Sequence, residues 1–473
     1  MSKYIKSYDG IAISGTDTTE IKFNNYSINI CRLAICLGAL MIFIYNCFTR
    51  LSNDNNVITA AAVMVLSTYD IIICRKNWYL FTIFGWMACC NYSICMYMYF
   101  NPLSFDSTLF NSLYNDNAAS IGINILFLFI IAITAMLPKM EQKIDSKNLF
   151  VQKENNNILI VLGISIILLF ILIFGFTRLE IGEGRGSHTS IYEYSSILFI
   201  IGYYYTGNKK FMNILLTLIL FLFVLQDLIF GGRSTSISLL LLYFLIFFSY
   251  KISIIQATPY ILLGIFIFTL VGSIRGNWNN TNFSALELIY NSLLKNKFVL
   301  STAYSAYHTS LTFIKVTDLI SVTDRIELFG KFILSLFLGG TKVKGASLPV
   351  YTRGFYMHYY GGLLPFYFNF YLGWIGVIVS ALIVKFYINI INKLNIDSNY
   401  LIKAVCIYVC ITVPRWYLYS PFPLLRGTVL LVLLCIVTNF FHKICKKHIS
   451  KSDLQMNSTI KQGGRHDKTR YIK

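Results

Sequence analysis

The chain has 473 residues, of which 56% are hydrophobic and only 13% charged, against about 25% charged in a soluble globular domain. With a mean hydropathy of +0.61, that balance excludes an ordinary soluble enzyme and points to one bundle of membrane-spanning helices. The net charge of +19 sits in short gaps between apolar runs and in the C-terminal tail, as expected of helix-end anchors at an anionic membrane surface and not of a nucleic-acid-binding face.

In chain order, a polar N-terminus (residues 1–30) precedes the first apolar run. No small-residue cleavage site follows that run, so it is expected to stay in the membrane as a helix. Apolar runs predict spans near 31–48, 57–74, 78–100, 119–138, 158–176, 194–207, 212–230, 234–250, 258–274, 361–384, 400–413 and 424–442. The fold expected is an all-α polytopic integral membrane protein of about 12 transmembrane helices. Most of the 11 cysteines fall inside these runs, with no C-x-x-C pair. They read as small hydrophobes and not as metal ligands or a disulfide framework.

With the N-terminus in the cytoplasm, about 25 basic residues fall inside and about 15 outside, about nine of the latter in one long loop. Long loops weigh little in the positive-inside rule, so both termini are expected in the cytoplasm. The chain then divides into a cytoplasmic N-terminus (1–30), nine helices (31–274), a large outer loop (275–360), three helices (361–442) and a basic cytoplasmic tail (443–473). Within the outer loop, Leu286–Leu294 and Ile326–Leu338 read as short amphipathic helices at the membrane interface, the second short enough to be re-entrant.

Asp70 and Asp227 are acids at or near membrane depth, fit for a relay or a helix–helix contact. Gly231-Gly232-Arg233-Ser234-Thr235 opens a predicted helix at the outer side. Glycine lets the backbone approach a ligand, the helix start favours an anion, and arginine grips phosphate in a bidentate fork. A tight turn with a snorkelling arginine accounts for the same residues. Arg275, followed by Gly276 and Trp278, is expected at the same level. It can share a pyrophosphate with Arg233 or serve as an interfacial anchor. Further on, Arg353 and His358 lie in a segment rich in glycine and tyrosine, with Tyr356, Tyr359 and Tyr360 able to pack on sugar faces. His358 can act as a general base or as a hydrogen-bonding group. Arg415 and Arg426 can add to an outer cationic cavity, interfacial anchoring being the simpler reading for Arg426. The chain has no Walker A motif, no H-E-x-x-H and no G-x-S-x-G, so ATP hydrolysis, zinc proteolysis and lipase chemistry have no sequence support.

In this layout the chain resembles the O-antigen polymerase (Wzy) family of oligosaccharide repeat-unit polymerases. The likeness is sharpest at Gly231-Gly232-Arg233-Ser234 and from Gly345 to Gly373. The resemblance implies an enzyme of the bacterial inner membrane, with the large loop in the periplasm. It would join undecaprenyl-pyrophosphate-linked oligosaccharide units without metal, nucleotide or other cofactor, beside a chain-length regulator and a flippase. Arg233 and Arg275 would act catalytically on the pyrophosphate and His358 on the acceptor hydroxyl. Arg353, Arg415, Tyr356 and Tyr359 would bind substrate. The related O-antigen ligase and a lipid-linked oligosaccharide flippase are the alternative readings.

Overall fold

The computed structural model describes residues 17–49, 53–100, 117–138, 150, 156–175, 189–207, 209–229, 234–254, 256–259, 261, 264, 301–339, 342–358, 361–395 and 397–466. Among them there is no strand. The helices are α1 (Asp17–Phe48), α2 (Asn53–Cys74), α3 (Trp78–Cys95, continued by a π turn, Met96–Phe100), α4 (Asn117–Met136), α5 (Ile158–Phe174), α6 (Ser195–Tyr205, preceded by a single turn, Ser190–Glu193), α7 (Lys210–Ile229) and α8 (Ser234–Phe247). They continue with α9 (Ser301–Thr317), α10 (Val322–Leu338), α11 (Leu348–Thr352), α12 (Leu364–Asn392), α13 (Tyr400–Ile411), α14 (Val413–Leu418) and α15 (Phe422–His466).

Seven helices among the described residues are long and apolar enough to cross a membrane: α1 to α4, α7, α12 and α15. Three shorter apolar helices, α5, α8 and α13, accompany them. At 1.5 Å per residue, the 17 residues of α5 reach about 25 Å, a little under the ~30 Å hydrocarbon thickness. Ten of the twelve predicted spans thus coincide with one of these apolar helices, whereas 194–207 folds as the short α6 and 258–274 lies largely outside the described residues. The outward face of α5 bears Leu159, Ile166, Phe170 and Phe174, all exposed. Apolar surface that continuous suits contact with lipid and not with water.

Local chemistry starts and stops the helices. Asn77 caps α3 by accepting from the Tyr79 and Leu80 amides, and Asn157 caps α5 by accepting from the Ile160 amide. Ser321 and Asp324 form a capping box on α10. Each side-chain oxygen satisfies an amide that the helix itself leaves open.

We call the end of the bundle that bears the α1–α2 turn the upper end. There, the Asn46 amide of α1 donates to Thr59 Oγ1 of α2 (2.7 Å) and Asn124 Oδ1 of α4 (3.0 Å). At the lower end, Trp78 Nε1 donates to the Ile252 carbonyl (3.0 Å) and Asn157 pairs with His442 (3.1 Å). Successive helices therefore alternate in direction. Asp70 accepts from the Thr134 hydroxyl (3.1 Å), a contact between α2 and α4.

Within 275–360, the 286–294 stretch lies outside the described residues. The 326–338 stretch forms the body of α10, whose Leu328, Phe332 and Ser335 are buried. Phe332 stacks on Tyr371 of α12 and packs on Phe422 of α15. One helix was not foreseen. α9 packs against α3, α4 and α12, and buries His308, Thr309, Ser310 and Thr312. Its Tyr307 hydroxyl hydrogen-bonds the Tyr99 hydroxyl, joining it to the upper end.

α12 is broken at Gly373, whose φ of +62° is a left-handed conformation that suits glycine. Just beyond, a Cβ on Gly376 would sit 1.9 Å from the Phe368 carbonyl oxygen. We predict that Gly376→Ala destabilises the protein by about 1–3 kcal/mol through overpacking. Gly85→Ala is the control, because a Cβ there meets nothing within 4 Å. Unfolding midpoints in detergent will compare them, and equal midpoints would refute the close approach.

Candidate functional site

The polar centre of the upper end is built around α14. The chain breaks at Thr412 between α13 and α14, and Pro414 starts the new helix. Trp416 Nε1 donates to the Val409 carbonyl (2.9 Å), and the Tyr417 hydroxyl donates to Asn91 Oδ1 of α3 (2.6 Å). These bonds hold the short helix inside the bundle and aim Arg415 across it.

Arg415 is only 7% exposed. Its Nη1 donates to the Glu193 carbonyl (3.1 Å), and its Nη2 donates to Thr235 Oγ1 (2.9 Å) and Ser234 Oγ (3.4 Å). The Glu193 carboxylate lies 3.5 Å from Nη2 and is 41% exposed. A buried guanidinium is costly without such partners. Its planar fork lets one side chain bind the turn before α6 and the first turn of α8 together.

The same turn of α8 is held from the other side. Asp227 Oδ2 accepts from the Ser236 amide (2.9 Å) and the Ser236 hydroxyl (2.8 Å). Asp227 is fully buried at the end of α7 and serves as a long-range cap. Tyr192, also buried, hydrogen-bonds the Phe223 carbonyl. Burial raises its phenol pKa, Asp227 raises it further, and Arg415 opposes both. Gly231, Gly232 and Arg233 lie outside the described residues, as do Arg275 and Tyr359. The residues that follow Arg233 in sequence are nevertheless the ones that Arg415 holds.

His358 is buried, 6% exposed, and its Nε2 lies 2.9 Å from Thr352 Oγ1. The Thr352 hydroxyl also lies 3.0 Å from the Leu348 carbonyl oxygen. A neutral imidazole carries one acceptor nitrogen, which is what a general base requires. Arg353 is exposed in the turn between Thr352 and His358. Tyr356 carries the Lys315 ammonium 5.8 Å from its ring centroid.

α14 links the two groups. Arg415 is on its first turn, and the Leu418 carbonyl on its last accepts from the Gly362 amide (2.9 Å). Gly361 and Gly362 have φ of +109° and +150°, and a Cβ on Gly362 would lie 2.6 Å from the Phe313 ring. The Phe313 ring in turn packs edge-on to His358. Three residues of helix, a rise of about 4.5 Å, thus connect the Arg415 contacts to the Gly361–Gly362 turn.

For Arg426, sequence reasoning set an outer cationic cavity against the simpler interfacial anchor. Its guanidinium carbon is 6.0 Å from the Tyr194 ring centroid, and its Nε is buried without a hydrogen-bond partner. The sequence signal was present, since an arginine in the first turns of an apolar helix is costly unless it faces a polar cavity. Among the described residues, no group of three or more His, Cys, Asp or Glu could hold a metal ion. No family model, no curated protein and no solved structure matches this chain.

Proposed function

We propose that this chain is a glycosyltransferase that polymerises undecaprenyl-pyrophosphate-linked oligosaccharide repeat units at the outer face of the bacterial inner membrane. The observation that carries the reading is Arg415, buried at the upper end and bonded to the helix start that directly follows Gly231-Gly232-Arg233. Arg233 directly precedes that helix in sequence, and an arginine beside a helix start favours an oxyanion at the membrane boundary. The basic residues gather at the lower-end connections and in the tail, which supports an outward-facing upper end with both termini in the cytoplasm.

In this reaction an acceptor sugar hydroxyl attacks the anomeric carbon of the growing glycan. The bond from that carbon to the pyrophosphate oxygen breaks, and lipid pyrophosphate leaves with the bonding electrons. Arg233 and Arg275 stabilise the negative charge that develops on the leaving group. Arg415 holds Ser234 and Thr235, the residues that follow Arg233 in sequence. His358 takes the acceptor proton, while Arg353, Tyr356 and Tyr359 hold the sugar.

The test is the purified protein with lipid-linked repeat units and no nucleotide sugar. A ladder of products is expected, and it should collapse to the single unit in Arg233→Ala and Arg275→Ala. Transfer of one glycan block onto a lipid A–core acceptor, with no ladder, would mark a ligase and overturn the polymerase reading. Movement of the lipid-linked unit across the bilayer without any product would mark a flippase.

A further inference from the structure

Among the described residues, nothing answers the charge of Arg426. Arg415 has Glu193, Ser234 and Thr235, and Lys331 has Glu327 at 2.7 Å. No described residue gives Arg426 a carboxylate or a hydrogen bond, and its Nε is buried. It is nonetheless half-buried, in the first turns of α15.

Two features shape its surroundings. The Tyr194 ring lies against the guanidinium, and a cation over an aromatic face is attracted to it without losing its N–H donors. Gly339 follows α10 with φ of +101°, and a Cβ there would come within 3.3 Å of Nη2 and 3.5 Å of Nη1. The missing side chain keeps the donor edge of the fork uncrowded. The chain beyond Gly339 then brings Lys342 and Lys344, both exposed, onto the same loop.

We propose that Arg426 is an oxyanion-binding residue whose counter-charge comes from outside the protein: a diphosphate ester at the membrane surface, backed by Tyr194 and admitted beside Gly339. A guanidinium matches two oxygens of such a group in one plane. The choice of a diphosphate rests on the polymerase reading. Donor and acceptor in that reaction each carry a lipid diphosphate, and Arg415 is already committed to protein groups. Tyr194 is adjacent in sequence to Glu193, so the two arginines flank the same turn from different helices.

The experiment uses the full chain in zwitterionic phosphatidylcholine nanodiscs, titrated calorimetrically with inorganic pyrophosphate. Saturable binding is expected. Arg426→Gln should weaken it at least tenfold and Arg426→Lys by less, with unfolding midpoints unchanged in both. Arg426→Lys keeps the test valid should the glutamine variant misfold. Equal binding by wild type and Arg426→Gln would overturn the proposal. So would an absence of pyrophosphate binding together with Arg426-dependent stabilisation by phosphatidylglycerol, which would assign the site to a bulk lipid headgroup. If Arg426→Gln loses pyrophosphate binding while wild type makes no glycan ladder, the anion site stands and the polymerase reading falls.

Discussion

Arg415→Ala is expected to abolish product ladders and to lower the unfolding midpoint in detergent. The side chain is buried, and its removal strands the Thr235 hydroxyl and the Glu193 carbonyl. Each buried polar group left without its partner costs about 1–3 kcal/mol. The Glu193 carboxylate adds little to that figure, because it is 41% exposed and 3.5 Å away, so solvent screens it. The hydrogen bonds carry most of the effect. Arg415→Lys keeps the charge but has a single ammonium where a fork is needed. It should recover part of the stability and little of the activity, since a point charge cannot hold the α6 and α8 starts together. Unfolding scans and the ladder assay on both variants check this. A ladder of normal length from a stable Arg415→Ala protein would remove the arginine from the account.

The second large effect is acid lability through His308. This residue lies in α9, 1% exposed, with Nε2 2.9 Å from the Tyr304 hydroxyl. Burial pushes its pKa down to about 3. The unfolded chain keeps the ordinary value near 6.5, so the unfolded state takes up this proton first as the pH falls. The contribution of neutral His308 is complete above pH ~6.5 and is lost progressively from there to about pH 3. The slope approaches about 1.4 kcal/mol per pH unit, or roughly 2 kcal/mol by pH 5. Unfolding midpoints of wild type and His308→Gln between pH 7.5 and 4.5 should converge towards acid, the variant having the shallower dependence. Parallel curves would mean that His308 takes up its proton at the same pH in the folded and the unfolded chain.

How much of this was legible in the chain depends on range. Long apolar helices are readable residue by residue, because a segment in lipid must satisfy its own backbone hydrogen bonds and expose apolar side chains. The expected sidedness is read from loop charges for a similar reason, since each loop contributes independently. α9 escaped notice because its Ser, Thr and His residues imitate a polar connection. They are buried only because α3, α4 and α12 close around them. Arg415, His358 and Arg426 stood out by residue type alone, and that could not separate an anchor from a working group.

The amino-acid sequence by itself determined that this is a helical membrane protein, where most of its helices run, and which arginines deserved notice. Only the tertiary structure decided what Arg415 and Arg426 touch. Arg415 meets groups 222, 181 and 180 positions away, while among the described residues Arg426 meets an aromatic ring and no acid. A hydrophobic run is a local property of consecutive residues. The partner of a charge is set by how distant helices pack, and no spacing along the chain encodes it.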